Sequence, residues 1–178
     1  MIYRLMKNDT PTVIDPILLA RLNKSISGVL DFNKLDRLCD LANFDGQEIH
    51  YLMSFLYDEE NRCCIEGKAK VAVKLECQRC LKLFSYKIDT TFRLYPVTAS
   101  AEKDFPKQLD MVVMENGLVS VPDIVEDELI LSLPEVPKHA DDDPNCQQLP
   151  AACLLENGKQ QVNPFTVLRN VGKTDGKK

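Results

Sequence analysis

The chain lacks any long hydrophobic run: among its 178 residues no stretch of apolar side chains approaches the roughly 18 needed to cross a bilayer. Met1 to Asn8 has none of the charged-then-apolar layout of a secretory signal. Histidine is scarce, with two residues in all, and there is no nucleophile elbow and no glycine-rich phosphate cradle. Gly172-Lys173-Thr174 imitates the end of a phosphate-binding loop, but the earlier glycine would fall at Val167 and no helix can follow. Together these absences argue against a membrane span, secretion and the common hydrolytic and nucleotide-binding sites. A cytoplasmic, non-catalytic protein with no small-molecule substrate is expected. Without an export signal, seven cysteines, an odd number with two of them adjacent, read as thiols or metal ligands and not as disulfides.

What is present suffices for a core. The apolar fraction is 44%, an ordinary value for a globular protein, and one α+β domain over residues 1–168 is expected, followed by a disordered basic tail over 169–178. The net charge of -5 is unevenly spread. Residues 61–96 carry eight Lys and Arg against three Asp and Glu, while both flanking segments are acidic. A local basic excess can be the footprint of an anionic partner such as RNA, or simply a solvated sheet face of mixed charge.

Pro16-Ile17-Leu18-Leu19-Ala20-Arg21-Leu22 predicts a short helix with proline in its first turn. Ser27 to Leu30 reads as a short strand. Asn33 then offers an N-cap to a helix whose Leu35, Leu38, Cys39 and Ala42 share one face, with Cys39 filling the core as a small apolar residue. From Gln47 the period becomes two: Ile49, Tyr51, Met53, Phe55 and Tyr57 alternate with His50, Leu52, Ser54 and Leu56. Asp58 to Asn61 supplies turn chemistry, and a second strand runs from Arg62 to Leu75 with Gly67 as a bulge or bend. There Ala69, Val71, Val73 and Leu75 face one way and Lys68, Lys70 and Lys74 the other. Cys63 and Cys64 point to opposite faces and serve packing. Phe84, Tyr86, Ile88 and Thr90 continue the alternation, giving an antiparallel β-meander, possibly barrel-like, with a few flanking helices. Residues 97–110 read as a loop, Met111 to Met114 as a strand, and Glu115-Asn116-Gly117 as a turn. Ile124 to Leu133, bounded by Pro122 and Pro134, predicts a helix with a solvated acidic face.

Cys77-Gln78-Arg79-Cys80 falls at the hairpin connection of this meander. Two cysteines so spaced on a tight turn are either half of a metal site or a redox dithiol. A redox dithiol normally opens a helix in a parallel βαβ unit, where the dipole lowers the thiol pKa, and the flanks here are antiparallel strands. A metal needs two more ligands. His139 and Cys146 lie in a short window, with Cys153 seven residues on, so Cys77, Cys80, His139 and Cys146 would offer zinc three thiolates and an imidazole. Their irregular spacing leaves open a set of reduced thiols beside a hairpin.

Three blocks of residues carry a resemblance. Leu75-Glu76-Cys77-Gln78-Arg79-Cys80 with Phe84, Val125 to Pro134 with Val136-Pro137-Lys138-His139, and Asn163-Pro164-Phe165 leading to Val167-Leu168 occur in an order that resembles the bacterial YceD family of large ribosomal RNA subunit accumulation proteins. The resemblance implies a part in accumulation of 23S ribosomal RNA and in large-subunit biogenesis, without a known reaction. It also implies that any metal is structural, although this chain departs from the relatives richest in cysteine, offering only His139, Cys146 and Cys153 after the acidic helix. Two classes follow. The chain is an assembly factor that binds precursor ribosomal RNA through Lys68, Lys70, Lys74, Arg79, Lys82 and Lys87, or a basic large-subunit ribosomal protein through its acidic helix and tail. Alternatively, it is a zinc-binding or thiol redox module working through the C-x-x-C.

Overall fold

The computed structural model describes residues 2–4, 12–46, 48–144 and 146. The expected tail over 169–178, Cys153 and the block around Pro164 lie outside them. Alternating side chains produce three long strands, β5 (Ile49–Tyr57), β6 (Cys63–Glu76) and β7 (Leu83–Thr98), joined as an antiparallel meander. Four shorter strands complete a seven-stranded sheet among the described residues: β1 (Ile2–Arg4), β3 (Ser25–Leu30), β4 (Asn43–Phe44) and β8 (Met111–Met114). The order is β1-β3-β5-β6-β7-β8, with β4 alongside β6. Both outer pairings, β1 with β3 and β7 with β8, are parallel. The meander is therefore mixed at its margins, and within the described residues β1 and β8 do not meet to close a barrel. β2 (Val13–Ile14) and β9 (Val119–Ser120) form a separate antiparallel pair.

Three α-helices among the described residues accompany the sheet. α1 (Pro16–Arg21) begins where Asp15 accepts the Leu18 N–H at 2.9 Å, with proline at its start as the sequence predicts. α2 (Asp36–Leu41) buries Leu38, and α3 (Val121–Leu131) is capped by Ser120, which accepts the Asp123 N–H at 3.4 Å. Val121, Ile124, Val125 and Leu129 of α3 meet Ile49, Met53, Phe55, Ile65 and Val73 in one core, together with Leu35 and Leu38. Each of these fully buried side chains contributes about 1.5–3 kcal/mol through loss of water contact. No helix among the described residues is long and apolar enough to cross a membrane.

Four expectations are corrected. Cys39 is exposed, its thiol donating to the Phe32 carbonyl at 3.3 Å, so Leu35, Leu38 and Ala42 bury that face without it. Gly67 makes no bulge: it pairs in register with Met53 and Phe92, and a Cβ there would stand 2.1 Å from the Phe92 ring. The residue must be glycine because an aromatic ring lies across it. The loop expected from residue 97 begins later, because Val97 and Thr98 still pair with Val113 and Met114. Finally, the acidic face of α3 is not wholly solvated: Glu126 is buried and accepts Leu38 N–H at 3.0 Å and Arg37 Nε at 3.0 Å.

Candidate functional site

The β6–β7 connection builds the site. After the last pair, Glu76 with Leu83, the chain turns through residues 77–82, held by Cys77 N–H donating to the Lys82 carbonyl at 3.0 Å and Leu81 N–H donating to the Cys77 carbonyl at 2.8 Å. Leu81 takes a left-handed conformation with φ of 58°, a strained choice for a branched residue. This turn rolls both cysteines inward, and Cys77 and Cys80 are buried. From the other side, the irregular segment after α3 arrives with the Pro137 carbonyl accepting from Gln78 N–H at 2.9 Å. It lays His139 over the Phe84 ring, 4.8 Å between centroids.

The donor atoms of Cys77, Cys80, His139 and Cys146 all lie within 4.8 Å of one another. Cys77 Sγ and Cys146 Sγ are 3.7 Å apart, and Cys80 Sγ is 3.5 Å from His139 Nδ1. A tetrahedron with metal–sulfur bonds of about 2.3 Å and metal–nitrogen bonds of about 2.05 Å has S···S edges of about 3.8 Å and S···N edges of about 3.6 Å. Two of the six donor edges thus already match a tetrahedral ion, and the rest, none longer than 4.8 Å, need only small side-chain shifts to close on it. His139 would offer Nδ1, leaving Nε2 4.0 Å from Asp143 Oδ2, the kind of outer carboxylate that orients a ligating imidazole.

Protonation in the cluster is uneven. Burial pushes the Cys77 thiol up, but hydrogen bonds from the backbone of His139, Arg79 and Cys80 and from the His139 ring outweigh it and hold it at about 5. Cys146 is pushed up by burial, with Arg79 opposing and the neighbouring Cys80 and Cys77 adding to the rise. Arg79 is not a free group projecting from the turn. Its Nε donates to Cys146 Sγ at 3.0 Å, its Nη1 to Asp141 Oδ1 at 3.1 Å and its Nη2 to the Ala140 carbonyl at 3.2 Å.

The other cations named from sequence are placed differently. Lys68, Lys70, Lys74 and Lys87 share the solvent face of β6 and β7. Lys70 pairs with Asp89 at 2.7 Å and Lys74 with Asp45 at 3.1 Å, and Arg93 on the same face bonds Glu66. Among the described residues Lys68 and Lys87 make no ion pair, while Lys82 sits on the connection beside the cysteines. Counting Asp45 and Asp89 with the four lysines leaves this face only modestly basic.

A feature that sequence reasoning missed lies across the molecule, where α2, α3 and β8 enclose an open cavity of about 700 Å³. Asp40, Asp110, Asp127 and Glu128 line it around Leu41, Met111 and Leu131. Burial, then the charges of Asp110 and Asp127, raise the Glu128 carboxyl above the usual range. No sequence signal brings β8 beside these two helices.

A family model described as large ribosomal RNA subunit accumulation protein YceD matches residues 65–171. The large ribosomal RNA subunit accumulation protein YceD of Haemophilus influenzae is 30% identical over 171 residues, which cover 94% of this chain and 98% of that protein. No solved structure matches.

Proposed function

The chain belongs to the YceD family, and from that membership we propose that it supports accumulation of 23S ribosomal RNA and large-subunit assembly as a non-catalytic, cytoplasmic binding factor. Cys77, Cys80, His139 and Cys146 hold a structural zinc ion. The ion supplies positive charge that keeps its thiolates ionised and fixes the turn, and no chemistry beyond that is needed of it. The observation that carries the zinc reading is the convergence of the four donors, two of whose edges, 3.7 Å and 3.5 Å, agree with zinc's tetrahedron.

The immediate partner is a basic large-subunit ribosomal protein in preference to the RNA itself. The net charge of -5 repels a polyanion, and Lys70, Lys74 and Arg79 are already engaged by Asp89, Asp45 and Asp141. Salt dependence separates the two. Phosphate contacts by all six named cations would give a slope of log K on log salt of about -4 to -5, and contacts by Lys68 and Lys87 alone a shallower one of about -1.4 to -1.8. The deciding experiment sediments a cell extract through a gradient. This protein is expected to travel with large-subunit precursors, and a chain that remains at the top would sink the assembly-factor reading. Metal analysis of purified protein, with Cys77→Ser as control, is expected to find one zinc per chain that the substitution removes.

A further inference from the structure

Two open cavities, of about 700 and about 550 Å³, adjoin along β8 and α3, sharing Met111, Val112, Ile124 and Asp127 in their walls. Together they form one trough. Its apolar lining includes Leu41, Met111, Val113, Leu118, Leu131 and Val13, all exposed, with Leu131 78% exposed. Nearly half of the large hydrophobic side chains that the described structure leaves to solvent thus lie on this one surface. Scattered exposed leucines need no explanation, but their gathering in a concave surface marks an interaction site.

The charge along the trough is one-sided. Asp40, Asp110, Glu115, Asp123, Asp127 and Glu128 line it, and the cation among its lining residues is Arg37. That guanidinium is already committed, donating to Glu126 at 2.8 Å and to Asp127 at 2.5 Å. Burial first, and then the charges of Asp110 and Asp127, raise Glu128, so a cation arriving there would relieve the repulsive part of that cost. RNA is excluded by the sign of the field, and a purely apolar partner would leave Asp40, Asp110, Glu115, Asp123 and Glu128 without counter-charges from the partner.

We propose that the trough between α2, α3 and β8 binds a Lys- and Arg-rich amphipathic segment of a protein partner. Apolar side chains of the segment cover Leu41, Met111 and Leu131, and its cations meet Asp110, Asp127 and Glu128. This rests on the reading of a ribosomal-protein partner given above and supplies its surface, which lies apart from the cysteine cluster and from the lysine face of β6 and β7.

The test uses the full chain and a fluorescent synthetic helix with leucines at helical spacing and lysines elsewhere, followed by anisotropy. Leu131→Lys and Asp110→Lys are each expected to weaken binding about tenfold or more, while Leu83→Lys and Asp142→Lys, exposed and outside the trough, leave it unchanged. Equal binding by all five proteins would overturn the inference, because the probe would then be reading general acidity. Removal of residues 147–178 that creates binding absent from the full chain would assign the trough to the chain's own C-terminal segment. A dimer that Leu131→Lys dissociates would assign it to a second copy, and either result displaces the proposed partner. The gradient experiment keeps the two readings separate. If the parent chain travels with precursors and Leu131→Lys travels equally, the trough inference alone fails; if the parent chain does not travel, the assembly reading fails whatever the peptide does.

Discussion

Replacing Glu126 with alanine removes the one buried carboxylate among the described residues, and its consequence can be worked from its partners. α2 starts after Leu35, which provides no side-chain cap, so the orphan N–H groups of its first turn need acceptors from elsewhere. Glu126 Oε1 reaches across from α3 to accept the Leu38 N–H at 3.0 Å, and Oε2 takes Arg37 Nε and Nη2 at 3.0 and 2.8 Å. Leu38 is fully buried, and leaving its N–H without an acceptor costs about 1–3 kcal/mol. The Arg37 side chain is 54% exposed, so its ion pair adds only about 0–1 kcal/mol. The sum points to a loss of about 1–4 kcal/mol for Glu126→Ala, or a melting temperature lower by about 2–16 °C. Glu126→Gln keeps an acceptor for Leu38 and should cost about 1 kcal/mol. Urea unfolding followed by circular dichroism measures all three proteins. An alanine variant within about 0.5 kcal/mol of the parent would refute the reasoning, and so would a glutamine variant as unstable as alanine.

Three further outcomes follow from other parts of the molecule. Arg79→Ala should weaken zinc binding about 10–100-fold, the usual effect of losing an outer partner of a metal ligand, with Cys146→Ser weakening it further; chelator competition measures both, and an unchanged affinity for Arg79→Ala would remove the guanidinium from the metal's surroundings. Gly67→Ala should cost about 1–3 kcal/mol by driving Cβ into the Phe92 ring, and Phe92→Leu in the same chain should recover part of that loss in a double-mutant cycle. The Cys63 thiol is pushed up to about 11, first by burial and then by Cys64 and Asp15. Because the folded thiol holds its proton longer than the unfolded one, this contribution is complete below about pH 9 and is lost as the pH rises through about 11. Denaturant midpoints taken on either side of that window should fall less in Cys63→Ala than in the parent.

The strands and the cysteine turn were legible because their signals are local. Ile49 to Phe55 and Ala69 to Leu75 alternate with period two, and burial follows the alternation except at the small, buried Ala72. Asp15 before Pro16 marks the start of α1, and the C-x-x-C falls between two such strands. Convergence of the four donors could be guessed from the C-x-x-C spacing together with His139 and Cys146 falling in one short window. What was not legible depends on partners distant in sequence. The Glu126 contact with Leu38 spans 88 residues, and nothing in the acidic run Glu126-Asp127-Glu128 distinguishes the buried member from its exposed neighbour Asp127. Gly67 reads like any strand glycine until β7 lays Phe92 across it. The parallel pairing of β8 with Tyr95 to Thr98 follows a long irregular connection, and that pairing supplies one wall of the acidic trough.

Arg79 shows why a residue's place in a motif is a poor guide to its role. Between two cysteines on a turn it reads as the group left pointing outward, available to a phosphate. In the fold its side chain is 22% exposed, and all three of its hydrogen-bonding nitrogens are spent on the segment from Ala140 to Cys146. The described residues of that segment form no helix or strand, so its position depends on such contacts and on Gln78 N–H to Pro137. With zinc bound as proposed, three thiolates and a neutral imidazole around the doubly charged ion would leave the cluster with one net negative charge, which the Arg79 guanidinium against Cys146 would offset. Arginine suits this place better than lysine. A planar fork can serve a sulfur, a carboxylate and a carbonyl at once, whereas a single ammonium group cannot span the three. Arg79→Lys should therefore retain more zinc affinity than Arg79→Ala, yet still loosen residues 140–146. Hydrogen exchange at the Cys146 amide, which donates to the Asp143 carbonyl at 3.1 Å, reads that loosening directly. Protection equal to the parent in Arg79→Lys would mean that charge alone, without the fork, holds the segment in place.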